Sequence, residues 1–118
     1  MEEKANQLAE RLLDYGVAII KLTTKLDNTF PGRHIAGQLF RSGTSAGANY
    51  EEACGAESRA DFIHKLQIVL KELRESHYWL KLTQKSKLIN DDIKDHIEET
   101  KQLINIIAKS LITAKKKK

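Results

Sequence analysis

The run Arg41-Ser42-Gly43-Thr44-Ser45-Ala46-Gly47 is the first stretch whose residue types suggest chemistry. Glycines and hydroxyls beside an arginine could cradle a phosphate. The run lacks the Gly-Lys-Ser/Thr ending that sets a lysine on the phosphates. Gly43 and Gly47 stand four apart, on one face of a helix, where small residues let two helices approach closely. Packing is the preferred reading. A di-metal centre between helices needs Glu-x-x-His on each of two helices and a Glu from each of two others. The chain offers Asp61-Phe62-Ile63-His64 and Glu72-Leu73-Arg74-Glu75, and Asp92 lies four before His96. Glu-x-x-His is missing, so the expectation is no metal and no cofactor. Cys54 has no second thiol to pair with. Near a helix C-terminus the dipole has the wrong sign to favour thiolate, so Cys54 reads as inert. No Ser-His-Asp set follows from spacing. A non-enzyme is expected.

Other polar and aromatic residues read as structural. Asn49 and Glu52 are three apart near the end of the second helix, where a polar seam residue sets register. His77 on the third helix reads as a hydrogen-bonded core or interface residue. Tyr78 and Trp79 could stack on an RNA base. A subunit interface is favoured for them, since interfaces select Trp and Tyr anchors.

These residues belong to a chain of 118, which is one domain's worth. Its 41% hydrophobic and 31% charged shares suit a folded chain, not a disordered one. A single Cys excludes a disulfide framework. No apolar stretch reaches about 18 residues, so no membrane span is expected. The opening Met1-Glu2-Glu3-Lys4 has no apolar signal region, and a cytoplasmic protein is expected. One proline and six glycines point to helices.

The apolar spacing divides that helix content into four. Leu8, Leu12, Tyr15, Ile19, Leu22 and Leu26 step alternately by four and three, the seam of a left-handed bundle. Leu13, Val17 and Ile20 form a second stripe, wider than one packing partner needs. Asn28-Thr29-Phe30-Pro31-Gly32 breaks the helix. Ile35, Leu39, Ser42, Ala46, Asn49 and Ala53 carry a second seam through poor helix formers. Ser58 to Asp61 resembles a capping box and opens a third helix. Its seam is Ile63, Leu66, Leu70, Leu73, His77 and Leu80. Asn90 is the expected cap of a fourth, with seam Ile93, Ile97, Thr100, Ile104, Ile107 and Leu111. The prediction is an all-α, up-down-up-down antiparallel bundle with helices over about 3–27, 33–54, 58–84 and 90–114. The lysine tail, 115–118, is expected to fray.

Several segments together resemble a known family. They are Gln38-Leu39-Phe40-Arg41-Ser42-Gly43-Thr44-Ser45, Ala48-Asn49-Tyr50-Glu51-Glu52-Ala53, Glu57-Ser58-Arg59-Ala60-Asp61-Phe62, Lys71-Glu72-Leu73-Arg74-Glu75-Ser76 and Tyr78-Trp79-Leu80. The chain is similar to the four helix bundle proteins encoded in intervening sequences of bacterial 23S ribosomal RNA genes. The resemblance covers nearly the whole chain. It implies a ring-like homopentamer without established catalytic residues. A related group of retroelement accessory proteins forms basic pentamers that work with a reverse transcriptase and RNA. Those bodies are strongly positive. Here the net charge of +4 equals the tail's four lysines, and the rest balances 16 cations against 16 anions.

The predicted topology sorts those charges into two poles. The pole with the first and third links holds Lys21, Lys25, Arg33, Lys81, Lys85, Lys87 and Lys94 against Asp27, Asp91, Asp92 and Asp95, a sum of +3. The other holds Glu2, Glu3, Glu10, Glu51, Glu52, Glu57 and Asp61 against Lys4, Arg11, Arg59 and Lys109, a sum of −3. A basic pole repeated in a ring would attract RNA or DNA phosphates. Lys21, Lys25, Arg33, Lys81, Lys85 and Lys87 are the candidate contacts. Leu13, Val17, Ile20, Tyr78, Trp79, Leu103 and Ile106 are candidate interface residues. Arg41, Gly43, Gly47, Asn49, Glu52 and Ser58 are candidate packing residues. The expected function is a self-assembling scaffold or accessory of a nucleic-acid-associated assembly. The alternative is a structural or protein-partner module without nucleic acid.

Overall fold

A computed structural model describes residues 3–117. Glu2 of the acidic pole and Lys118 of the tail lie outside the described residues. The helices are α1 (Glu3–Thr23), α2 (Phe30–Cys54), α3 (Arg59–Ser86) and α4 (Lys94–Lys116). No strand occurs among the described residues.

Local chemistry sets the helix limits. After Thr23 the chain tightens, with Lys25 N–H bonding Leu22 O and Leu26 N–H bonding Thr23 O. These three-residue steps end α1 four residues before the expected 27. Leu26 remains fully buried under the turn. Thr29 caps α2, its hydroxyl accepting from Gly32 N–H at 3.0 Å. Pro31 lies in the first turn, where its missing N–H costs nothing. Phe30 to Gly32 is therefore a helix start, not the break expected. A Cβ on Gly32 would stand 1.9 Å from Leu26 O, so only glycine fits that corner. The Ser-Gly stretch is helical throughout, as its periodicity implied.

Ser58 caps α3 as expected, accepting from Asp61 N–H at 3.1 Å. Asn90 does not cap α4. The cap position is Ile93, which makes no side-chain cap bond, while Asp92 accepts from Lys94 N–H. Ile93 is fully buried, so core packing and not capping places this helix start. At the other end α4 continues through Lys116 instead of fraying from 115. Cations in a last turn favour the helix dipole.

Side-chain pairs fix the packing direction. Gly43 meets Ile19 while Gly47 meets Leu12, so α1 and α2 are antiparallel. Glu52 pairs with Lys65 while Arg41 pairs with Glu72, so α2 and α3 are too. Arg11 pairs with Glu99 across α1 and α4, and Lys25 with Asp91 between the link after α1 and the link before α4. The bundle measures 49 × 21 × 19 Å.

The buried seams keep the three-four alternation on α3 but run along a neighbouring stripe of the helix, and on α2 and α4 they shift by one residue in places. Val69, Ser76 and Thr83 alternate with Leu66, Leu73 and Leu80 on α3, leaving Leu70 and His77 half-buried. On α2 the seam passes through Tyr50, and Asn49 sits beside it with its amide on Ser45 O. On α4 Leu103 takes the place expected for Ile104. Leu103 is 0% exposed and so belongs to the core, not to an interface.

All four helices contribute one polar residue to a layer in that core. Tyr15 Oη lies 2.7 Å from Thr100 Oγ1, and Ser42 Oγ lies 2.8 Å from Ser76 Oγ. Thr100 and Ser76 donate in turn to His96 O and Glu72 O. Burial pushes the Tyr15 hydroxyl up to about 12, while its bonds to Thr100 and Ser76 restrain the rise. A satisfied polar layer fixes register, because a slip would bury unpaired hydroxyls.

Candidate functional site

The residues that most suggested chemistry hold α2 against α3. Arg41 Nη1 lies 2.9 Å from Glu72 Oε2, and its other terminal nitrogen bonds Glu75. Trp79 Nε1 donates to the same Glu75 oxygen at 3.1 Å. Arg41 thereby holds the Glu75 carboxyl below the usual carboxylate range, with help from Trp79. Trp79 also packs edge-on against His34 and Tyr78, with ring centroids 5.8 and 5.1 Å away. Its indole is half-buried and tied down, whereas Tyr78 is exposed. Glu52 is exposed and bonds Lys65. A Cβ on Gly43 would sit 2.8 Å from Ile19, but one on Gly47 would make ordinary contact. Close packing requires glycine only at Gly43. No phosphate cradle forms, since the Arg41–Gly47 stretch lies inside a helix whose amides bond within it.

The six candidate cations, Lys21, Lys25, Arg33, Lys81, Lys85 and Lys87, are all exposed at the linker end of the bundle. Lys25 is engaged by Asp91 at 2.6 Å, and this bond keeps the Asp91 carboxyl below its usual range. Lys87 ends α3 in the left-handed region, with φ 55°.

Leu13, Val17 and Ile20 lie on the outer face of α1, exposed by 60, 44 and 43%. Phe40 and Ile112 are exposed too, which the interface expectation did not include. Ile106 is half-buried and forms part of a different feature.

That feature is an open trench of about 1200 Å³ between the N-terminal half of α1 and the C-terminal half of α4. Its lining includes Lys4, Arg11, Arg59, Lys109 and Lys117, and no carboxylate. Its apolar part comes from Leu8, Phe62, Ile106 and Ala114. The carboxylates of this pole, such as Glu10, Glu51 and Asp61, lie outside it, exposed. The trench was missed because charges were summed by pole and not by direction. A helical-wheel count would have separated Lys4 and Arg11 from Glu3 and Glu10. Arg11 is held by Glu99 and Gln102, at 2.7 and 2.8 Å. Arg59 reaches the Lys117 carbonyl and ties α3 to the end of α4.

The remaining titratable candidates gather no reactive set. Among the described residues no cluster of three His, Cys, Asp or Glu could hold a metal. Cys54 is half-buried beside the trench. His77 Nε2 and His96 Nδ1 are buried without a hydrogen-bond partner. Burial lowers both imidazole pKa values, and Lys81 and Lys101 lower that of His77 further. No described helix is long and apolar enough to cross a membrane.

Residues 4–112 match the family described as 23S rRNA-intervening sequence protein. The chain is also similar to a solved structure from Bacteroides thetaiotaomicron, a protein of unknown function in the S23 ribosomal protein family. The two are 34% identical with a TM-score of 0.84, over 92% of this chain and 98% of that one. No curated protein matches this chain.

Proposed function

This chain belongs to the 23S rRNA-intervening sequence protein family, and from that premise we propose a non-catalytic, self-assembling bundle that serves a nucleic-acid-associated assembly. The observation that carries the reading is the apolar stripe of Leu13, Val17 and Ile20, left in solvent on α1. Exposed apolar side chains in a row mark a surface that another molecule covers. The family resemblance supports a ring of five copies. In such a ring the linker ends share one face, and Lys21, Lys25, Arg33, Lys81, Lys85 and Lys87 repeat on it. Phosphates would be drawn there by charge, with affinity falling as salt rises.

Light scattering on the purified chain should give a mass near five chains. A single-chain mass at all concentrations overturns self-assembly. Binding to structured RNA and to duplex DNA across a salt series tests the basic face. Charge reversal at Lys81 and Lys85 should weaken it, and no binding at low salt removes the nucleic-acid role. Deleting 115–118 separates the tail from the pole. The trench favours a second reading, a protein-partner module without nucleic acid, because its floor is apolar.

A further inference from the structure

We propose that the trench between α1 and α4 receives the outer face of α1 from a second copy of this chain. The inference rests on the self-assembly reading above and names the surfaces that meet. The trench carries five cations and no carboxylate around an apolar floor. The α1 face has the opposite chemistry. Leu13, Val17 and Ile20 form its apolar ridge, and Glu10 and Asp14 flank it, all five exposed. These positions fall at i, i+3, i+4, i+7 and i+10, so they share one side of the helix.

The two surfaces also match in length. The ridge spans residues 10–20, and the α4 wall spans 106–117. At 1.5 Å per residue they are about 16 and 18 Å long, or three helical turns. A helix laid into a groove between two helices is an established recognition mode, with apolar anchors at these same intervals. The trench and the ridge lie on opposite flanks of α1. Arg11 reaches α4 from one flank, while Ile20 and Leu13 emerge on the other. A contact joining two different patches is heterologous, and repetition propagates it into a ring where its rotation closes and into a filament where it does not. A face-to-face dimer would leave one kind of patch uncovered.

Nucleic acid suits the trench less well. Its floor is largely aliphatic, Tyr50 is only 6% exposed, and Phe62 is half-buried, so at most one ring is there for a base to stack on. An apolar ridge flanked by acids buries the floor and meets the cations at once.

Charge exchange tests this contact. One variant carries Glu10→Lys and Asp14→Lys, and the other Lys4→Glu and Lys109→Glu. Circular dichroism shows whether each retains its helices. Sedimentation equilibrium should show the assembly constant weakened about ten- to a hundredfold in each variant. Mixing the two should restore contacts between unlike copies, because a ridge with added lysines then meets a trench with added carboxylates, but strict alternation cannot close a ring of five, so the mixture should give even-numbered or open assemblies. Placing all four changes in one chain should restore assembly. A wild-type assembly that survives both double variants places its interface elsewhere and overturns the contact while leaving self-assembly intact. Loss without rescue in the fourfold variant overturns it as well. A monomeric wild type removes both readings.

Discussion

The α2–α3 and α1–α4 pairs are both antiparallel, yet one is clamped and the other gapes. Across α2–α3 bonds hold the middle and the far end: Ser42 to Ser76, Arg41 to Glu72 and Glu75, and Glu52 to Lys65. Across α1–α4 the ties are Tyr15–Thr100 and Arg11–Glu99, with Lys25–Asp91 joining the adjacent links, and at Arg11 the trench begins. Opposite charges face each other in the first pair. In the open half of the second, Lys4 faces Lys109 and Lys117 with no acid between. Like charges resist closure, and the apolar floor beneath them stays accessible. The difference assigns stability to one pair and leaves the other free to bind.

Equal truncations in the two pairs are the strongest way to break this contrast. Leu73→Ala, in the core against α2, should cost about 2–5 kcal/mol in denaturant unfolding. Leu8→Ala, on the trench wall, should cost about half that or less, since less area leaves water. Similar losses would show the trench to be as tightly packed as the clamp.

The next effect tests the clamp alone. Arg41→Met strands the buried Glu72 carboxylate and should cost about 1–2 kcal/mol, reduced because half the arginine is in solvent. Adding Glu72→Gln should recover part of that loss. A neutral Arg41→Met would reduce the bridge to decoration. Tyr15→Phe removes the buried tie of the open pair and should cost about 1 kcal/mol or less, because Thr100 keeps its bond to His96 O. A larger cost would mean that the polar layer acts as one unit.

Acidity gives the smallest effect and sharpens the boundary between the pairs. Burial depresses His77 and His96 in the folded state. The unfolded chain then binds more protons just below its histidine pKa of about 6.5. Stability should be full above that pH and decline as pH falls toward the depressed values. His77→Asn with His96→Asn should flatten the thermal midpoint between pH 7 and 5. An unchanged slope would assign it to carboxylates.

Much of the fold was legible because helix period and breakers are local. Four helices, their order, the Ser58 cap and the packing role of Gly43 all follow from spacing. The Leu13, Val17 and Ile20 stripe was legible as surplus, since six seam residues already filled the inward face. The seams on α3 and α4 were read one position off in places. Two adjacent stripes on these helices both fit the three-four alternation, and only packing against the neighbouring helices buries Ser76 in place of His77 and Leu103 in place of Ile104. The α4 start was misread because Asn90 is a good cap by type. The burial of Ile93, a long-range effect, decides it.

Residue types and their order alone dictated four amphipathic helices, an antiparallel path and a cationic linker end, because each depends on neighbours a few positions away. The trench depended on something else. Lys4, Arg11, Arg59, Lys109 and Lys117 come from three helices and the residue after α4, and only packing gathers them along one trench while Glu10 and Asp14 lie outside it. A sum of charges carries no direction. Direction arises when α2 and α3 lock together and leave α1 and α4 ajar.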